Sequence, residues 1–565
     1  MSDTGGSRSR RLRPETAERL RHVRQRWSET LLLAGITGAV TGFLVAIFDL
    51  VVADQLFAQI RDLGTPWIWI APAIGLGLAW AVLRWLGNGA SPSTSDDYVQ
   101  NFHEQDRRML LRAVPAKVLA SVATLGFGGA LGYEGPSIYI GAAAGTWLQR
   151  RFRRIFGIED GKLLMIVGAA AGVAAIFRTP LTGALFAIEV PYQQDQARRA
   201  AMPALIGAAT SYLTFVLVRG TERVIPVSGQ PSFRLADLLG ALVVGLLCGA
   251  GARGFALLVG WSKALNARLP RWASWAIGGG SMAILTAVSI SLFHGPLAMG
   301  PGYGSILRVE SPTMDLELIA ALFLIRALAT SATIAGGGAG GVFIPLVTQG
   351  ALLGRFVGEI AHVPEVTLLP LVGAAAFLGA GYRVPIAAVV FVAESTGRAG
   401  FIVPGVIATV VAQLMMGSSS VTPYQVSIRG GHIEQRLRLP VSEVMRRSTP
   451  TVGAGVPIDE RIDAVFVRAL GGSVPVVHDD GSYGGMLRLA DVAAVRARER
   501  EAVRVSDLAV QAPAAASTWT LMDAVAAMEE SEVDCLAVVE GSMVIGAVAL
   551  TDALRLDEMM RRAGR

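Results

Sequence analysis

The sequence predicts an α-helical polytopic membrane protein made of two related halves, with a small α/β domain at its C-terminal end. Three observations carry that reading: an apolar composition arranged in long runs, an internal repeat within those runs, and a change of character after Tyr424. The chain has 565 residues, of which 52% are hydrophobic and only 17% charged, and its mean hydropathy is +0.50. That is too apolar for an ordinary soluble domain. Runs such as Leu31–Phe48, Val118–Leu131 and Leu238–Gly251 recur to about residue 417. A helix needs roughly 20 apolar residues to cross the hydrocarbon core, and on the order of ten stretches approach that length. Many are interrupted by Gly or Pro. Such breaks survive at membrane depth only where neighbouring protein or a polar cavity satisfies the freed backbone groups.

The N-terminal segment, residues 1–27, is basic. It carries Arg8, Arg10, Arg11, Arg13, Arg19, Arg21, Arg24 and Arg26 against Asp3, Glu15 and Glu18. An arm for nucleic acid is the rival explanation. With an apolar span opening near residue 28, the excess of arginine on cytoplasmic flanks accounts for it, and no nucleic-acid partner is expected. Both termini are then expected in the cytoplasm. The apolar run behind the arginines has no small-residue cleavage pattern, so no signal peptide is expected. Cys248 and Cys535 are too isolated to suggest a disulfide or a metal site.

The membrane part is expected over residues 28–424, as repeats of about 28–220 and 234–424. Thr124–Gly129 leads to Pro136, Gly141 and Gly145, and Thr333–Gly338 leads to Pro345, Gly350 and Gly354 with the same spacings. Gly168–Val190 and Gly373–Ser395 then align at a constant offset, matching Arg178 with Arg383, Pro180 with Pro385, Phe186 with Phe391 and Glu189 with Glu394. A bias toward Gly and Ala explains matched alanines but not Arg, Pro, Phe and Glu in register. Two homologous halves explain both, and transporter halves of this kind place their substrate site at the interface between them. Residues 425–440 are polar and basic and read as a linker. Beyond them the chain alternates short strands and helices twice, over residues 441–495 and 503–560. That order is a duplicated α/β unit.

The chemistry centres on Gly132–Pro136 (GYEGP). Between Val114 and Trp147 the only residues with formal charge are Lys117 and Glu134. A carboxylate at this depth costs roughly 2.5–3.5 kcal/mol on insertion scales and is a functional candidate by default. Pro136 suits the first turn of a helix, which puts Glu134 at a helix N-terminus, where unpaired N–H groups and the helix dipole attract an anion. The flanking glycines allow backbone amides to approach an ion closely. A carboxylate there can fill the anion's own place and leave it on protonation. Gly340–Pro345 (GGVFIP) repeats the construction without the acid and offers the amides of Val342 and Phe343. Helix packing through small residues is the plain alternative for each glycine cluster taken alone. The two in register, with one acid between them, point to function.

The combination of GYEGP, GGVFIP, the GAAAG…FRTPLTG…FAIEV segment and two C-terminal units that look like CBS domains resembles the CLC family of chloride channels and chloride/proton antiporters, over nearly the whole chain beyond the basic arm. The resemblance implies a CLC-type inverted repeat, a homodimer in a lipid bilayer with one pore per protomer, and chloride or a similar small anion as the permeant species. Carried over by position, Glu134 matches the gating glutamate. The backbone at Tyr133, Glu134, Gly135, Val342 and Phe343 matches the anion ligands, and Tyr424 matches the tyrosine that closes the inner side of the site. Ser93 falls where the family's chloride-binding serine stands, although the family's GSGIP is replaced by Pro92–Asp96 (PSTSD). A helix N-cap is the other reading of Ser93.

Two further departures shape the expected function. Coupled members carry a second acid just after FxIE, and here that place is Val190, which cannot bind a proton. Glu189, with Glu394, Arg178 and Arg383, reads instead as a structural charge pair in each half. A passive chloride channel gated by Glu134 is therefore expected, with a chloride/proton antiporter as the alternative; a cation transporter with a CBS tail would need clustered intramembrane acids, and these are lacking. In the tail, Asp491 and Asp552 match the ribose-holding aspartates of nucleotide-binding CBS units, but the hydroxyl expected three residues earlier is Arg488 in one and Ala549 in the other. A role in subunit contacts is favoured over adenine-nucleotide binding. The six histidines (His22, His103, His294, His362, His432, His478) show no ligand spacing, so no metal is expected. No Walker loop and no Ser/His/Asp arrangement is legible, so neither an ATP-driven pump nor an enzyme is expected.

Overall fold

A computed structural model describes residues 14–551 except 104–108, 153–161, 194, 226, 228–233, 236, 310–313, 363–366, 427–436, 438, 470–471, 496–499 and 550. The chain divides into two compact units, Met1–Arg429 and Gly430–Arg565. Asp552, His432 and the first arginines of the basic arm lie outside the described residues.

The first unit is helical throughout. Six helical stretches among the described residues are long and apolar enough to cross a membrane, beginning with Ser28–Arg61 and ending with Leu316–Ala335. Five shorter apolar helices accompany them. The expectation of about ten spans thus resolves into a mixture of full and partial crossings. Helix α1 (Pro14–Asp49) continues through a π-helical segment, Leu50–Phe57, into a last turn, Ala58–Arg61. There Arg219 bonds Asp49 at 2.8 Å and Asp54 at 2.5 Å, so the acids of this apolar helix are neutralised by a partner. Helices α2 (Trp67–Trp85), α3 (Ser95–His103) and α4 (Val114–Gly126) follow.

The repeat is visible as matched elements. In the first half, α5 (Glu134–Arg151), α6 (Leu163–Phe177) and α7 (Pro180–Glu189) precede the span α8 (Ala201–Arg219). After two long spans, α9 (Asp237–Arg268) and α10 (Arg271–Phe293), come a short α11 (Tyr303–Val309) and α12 (Leu316–Ala335). The second half then gives α13 (Phe343–Ile360), α14 (Leu368–Tyr382), α15 (Pro385–Thr396) and α16 (Ile402–Met416). Helices α6 and α14 each have 15 residues and each ends on an arginine in the left-handed conformation, Arg178 at φ 57° and Arg383 at φ 58°. A proline then opens the next helix in both halves, where its missing N–H is no loss. Backbone contact is equally matched. A Cβ on Gly141 would lie 1.9 Å from the Gly168 carbonyl oxygen, and one on Gly350 would lie 2.1 Å from that of Gly373. Only glycine permits helices to cross that closely.

The two halves are fastened by reciprocal caps. Glu189, at the end of α7, accepts hydrogen bonds from the amides of Ile386 (3.3 Å) and Ala387 (2.9 Å) in the first turn of α15. Glu394, near the end of α15, accepts from the amides of Leu181 (3.0 Å) and Thr182 (2.7 Å) and from the Thr182 hydroxyl (2.6 Å) in the first turn of α7. The expected pairing with arginine is corrected here. Arg178 donates to the Glu222 carbonyl and Arg383 to the Gly417 carbonyl, while each glutamate satisfies the orphan amides of the opposite half. A further buried cation, Arg326, is compensated by carbonyls alone, those of Leu297, Ala298, Met299, Gly300 and Pro301 at 2.8–3.2 Å.

The second unit holds two three-stranded sheets of one pattern. In the first, β1 (Val452–Gly453) is parallel to β2 (Ser473–Val477), which is antiparallel to β3 (Tyr483–Arg488), and helix α17 (Glu460–Arg468) connects the first pair. The second sheet repeats this with β4 (Ala515–Ala516), α18 (Leu521–Glu530), β5 (Cys535–Glu540) and β6 (Met543–Ala549). Each sheet packs its own apolar cluster, around Val474, Val476 and Leu487 in one and Leu536, Val538 and Val548 in the other.

Replacing Glu394 with Ala strips three hydrogen bonds from the start of α7. The expected result is a loss on the order of 2 kcal/mol for the exposed amides. In detergent this reads as a melting temperature lower by several degrees, while a Glu317→Gln change on α12 leaves it within a degree or so.

Candidate functional site

Two broken helices meet head to head. Helix α5 begins at Glu134 and helix α13 at Phe343, and the loops before them are joined by a two-way bridge: the Gly132 amide donates to the Gly341 carbonyl at 2.7 Å, and the Gly341 amide to the Gly132 carbonyl at 2.9 Å. The bridge sets the positive ends of both helices against one small volume. Glu134 occupies that volume. Its side chain is fully buried, and Oε1 accepts the Phe343 amide at 2.6 Å. Oε2 is buried and has no hydrogen-bond partner among the described residues. The neighbouring glycines leave room for the carboxylate: a Cβ on Gly132 would stand 1.9 Å from Oε2, and one on Gly341 would stand 2.1 Å from Oε1.

An aromatic wall surrounds the amide that holds it. The Phe343 ring lies 4.7 Å from Phe177, 4.7 Å from Phe391 and 5.3 Å from Phe186. Such a shell excludes water and strengthens any charge-to-amide bond inside it. Tyr133, Gly135 and Val342 are buried beside Glu134 and Phe343, so these expected ligands converge.

The other two expected ligands, Tyr424 and Ser93, differ from these in exposure and contacts. Tyr424 is 41% exposed, whereas Tyr382, at the end of α14, is 2% exposed and packs its ring 5.4 Å from that of Phe186 and 6.3 Å from that of Phe343. Ser93 is engaged through its backbone carbonyl. The buried Lys117 amine takes the Ser93 carbonyl at 2.7 Å, the Ser91 hydroxyl at 3.4 Å and the Asp97 carboxylate, and so pins the loop before α3. Pinned there, Thr94 reaches the Gly340 carbonyl at 3.2 Å and stands against Gly135. Ser95 and Asp96 follow, with Asp96 bound to Lys263 at 2.5 Å. Tyr382 stands in register with Phe177 of the first half.

Val190 is buried directly behind Glu189, and its carbonyl accepts the Gln425 side-chain amide at 2.8 Å. In the C-terminal unit, Arg488 closes a two-point fork on Asp491, Nε at 2.6 Å and Nη2 at 3.1 Å. The carboxylate expected to hold a ribose is thereby already engaged. No cluster of three or more metal-ligating side chains occurs among the described residues.

Comparison with known proteins gives concordant findings. The family described as voltage gated chloride channel matches residues 74–417, and the CBS domain family matches residues 505–558. The H(+)/Cl(-) exchange transporter ClcA of Cronobacter sakazakii is 29% identical over 409 residues, covering 68% of this chain and 87% of that protein. A slow cyanobacterial Cl-/H+ antiporter has a similar fold, with a TM-score of 0.61, 23% identity and coverage of 68% of this chain and 94% of the other. A eukaryotic CLC transporter covers 94% of this chain and 98% of its own at a TM-score of 0.60 and 17% identity.

Proposed function

This chain belongs to the voltage gated chloride channel family, and on that premise we propose that it exchanges chloride for protons across a membrane, with Glu134 as both gate and proton carrier. One observation carries the reading: the Glu134 carboxylate lies 2.6 Å from the Phe343 amide, in the place an anion would take. Charged, Glu134 competes with chloride for the helix N-terminus. Protonated, it loses that attraction and swings out, so chloride enters as a proton leaves with the side chain.

The relatives named as exchangers support coupling over the passive channel that Val190 suggests. Glu189 does not stand in for the absent acid, because its oxygens cap α15. Protons from the inner side therefore reach Glu134 without a carboxylate relay, through water in the anion's own path, and this delivery limits turnover. Chloride as the transported anion, a homodimer with one pore per protomer, and both termini in the cytoplasm belong to the same reading, the last on the strength of the N-terminal arginines.

Purified protein in chloride-loaded vesicles tests it. An outward chloride gradient is expected to drive protons inward against their own gradient, at a fixed ratio. Chloride flux without proton movement would instead establish the channel. Flux is expected to rise as pH falls. Glu134→Gln, which mimics the protonated gate, is expected to conduct chloride at a rate independent of pH and to carry no protons. Gly132→Ala offers a separate check, because the three atoms nearest its new methyl group all belong to the Glu134 side chain. It is expected to push the carboxylate out and raise chloride flux at neutral pH several-fold; flux equal to that of the unmutated protein would place the gate elsewhere.

A further inference from the structure

We propose that Lys263 is the bolt that closes the inner side of the anion site, by holding the first turn of α3 and residues 417–426 together, and that proton coupling depends on it. The inference rests on the exchange reading above and adds a closure that Glu134 on its own does not supply.

An exchanger keeps its two ions coupled only if its site is never open to both sides at once. Glu134 closes one side. Residues 417–426 lead toward the C-terminal unit, which the proposed orientation puts in the cytoplasm, so they mark the other.

The contacts single out Lys263, on α9. Its ammonium donates to the Asp96 carboxylate at 2.5 Å and to the Val421 carbonyl at 3.1 Å. Each partner leads to the site. Two residues before Asp96, the Thr94 hydroxyl donates to the Gly340 carbonyl at 3.2 Å and lies against Gly135, so this side of the bolt touches the start of α5 and the loop before α13. On the other side, the Val421 amide donates to the Gly381 carbonyl at 3.0 Å and the Gln425 side-chain amide to the Tyr382 carbonyl at 2.7 Å. The Tyr382 ring in turn packs 6.3 Å from that of Phe343. One ammonium thus bonds both segments. It reaches out from an anchored helix, because the Asn266 side chain, one turn further along α9, donates to the Ala335 carbonyl at 3.0 Å at the end of α12.

The neighbouring pair shows why this one is a moving part. Asp97, next in the chain, is bound by Lys117, and there the lysine side chain is 4% exposed; that of Lys263 is 35% exposed. A buried pair is costly to open, because opening leaves charges without water. A pair in contact with solvent contributes little and is screened by salt, so it opens and recloses. Adjacent aspartates thus hold α3 by one permanent tie and one reversible tie.

The test uses the full-length protein in chloride-loaded vesicles and reads chloride flux and proton flux together. Lys263→Met is expected to raise chloride flux up to about fivefold, the shift in open population that a pair of this exposure can hold, and to lower the number of protons moved per chloride. Asp96→Asn is expected to move both quantities the same way by a smaller factor, since the Val421 contact survives. The double variant is expected to match Lys263→Met, because the shared contact is lost only once. Lys263→Arg, which keeps the charge and the donors, is expected to recover most of the lost ratio. Variants that melt lower yet exchange at the unmutated ratio overturn the proposal, because the pair is then a structural tie. Effects that add in the double variant overturn it as well. Should Lys263→Met fail to fold, an unchanged ratio in Asp96→Asn overturns it equally. Chloride flux without proton movement in the unmutated protein is a different failure, that of the exchange reading itself, and takes this inference with it.

Discussion

A carboxylate in a dry volume, held by one backbone amide, is the interaction on which the rest of the molecule depends. Burying an ionised group is expensive, an effective penalty of several kcal/mol, unless dipoles and hydrogen bonds replace its water. Here the replacement comes from helix ends. Breaking α5 and α13 inside the membrane exposes amides that a continuous helix would have used, and the Gly132–Gly341 bridge faces them toward each other. The glycines are needed because backbone and carboxylate share a space too small for a Cβ. The phenylalanine shell is needed because water would weaken the competition between the carboxylate and an anion. Each oddity of the sequence in this region, its interrupted helices, glycine clusters and lone acid, follows from that single requirement.

Much of this was legible in the amino-acid order, for a definable reason. Features that repeat at a constant offset are stamped twice, so chance resemblance is discounted: Arg178 with Arg383 and Pro180 with Pro385 announced two helix breaks, and both occur. The places of Glu134 and Phe343 at helix starts were legible because adjacent Gly and Pro fix that backbone. In the soluble unit the helix Leu521–Glu530 carries local signals, a Thr520 cap and an amphipathic pattern. What was missed involves contacts between segments distant in the chain. Glu189 and Glu394 could be guessed structural, but which groups they bond depends on how the halves interlock. The strands Val452–Gly453 and Ala515–Ala516 are only two residues long, too short to show alternation.

The site also shows how a fold conserves geometry while exchanging its parts. The loop before α3 lacks the expected glycines and proline, yet Lys117, Asp97 and the Ser93 carbonyl hold it in place by charge and hydrogen bonding. Thr94 is thereby brought within hydrogen-bonding reach of the Gly340 carbonyl. The same substitution of means holds at the inner side, where Gln425 satisfies two carbonyls, of Val190 and Tyr382. In both places a buried polar side chain stabilises the backbone of a neighbouring element.

The crossed glutamate caps bear on how the chain is made. Thr182 leaves the ribosome 212 residues ahead of Glu394, the group that satisfies its amide. At about 5–20 residues per second, that interval is roughly 10–40 s. Throughout it the nascent first half carries bare amides on α7 and an unaccompanied Glu189, none of which belongs in lipid. The early segments must then wait in a wetter setting, at the insertion machinery or the bilayer surface, until the later ones arrive. Membrane entry of the two halves becomes a joint event, and a chain released midway is a substrate for quality control rather than a smaller working protein.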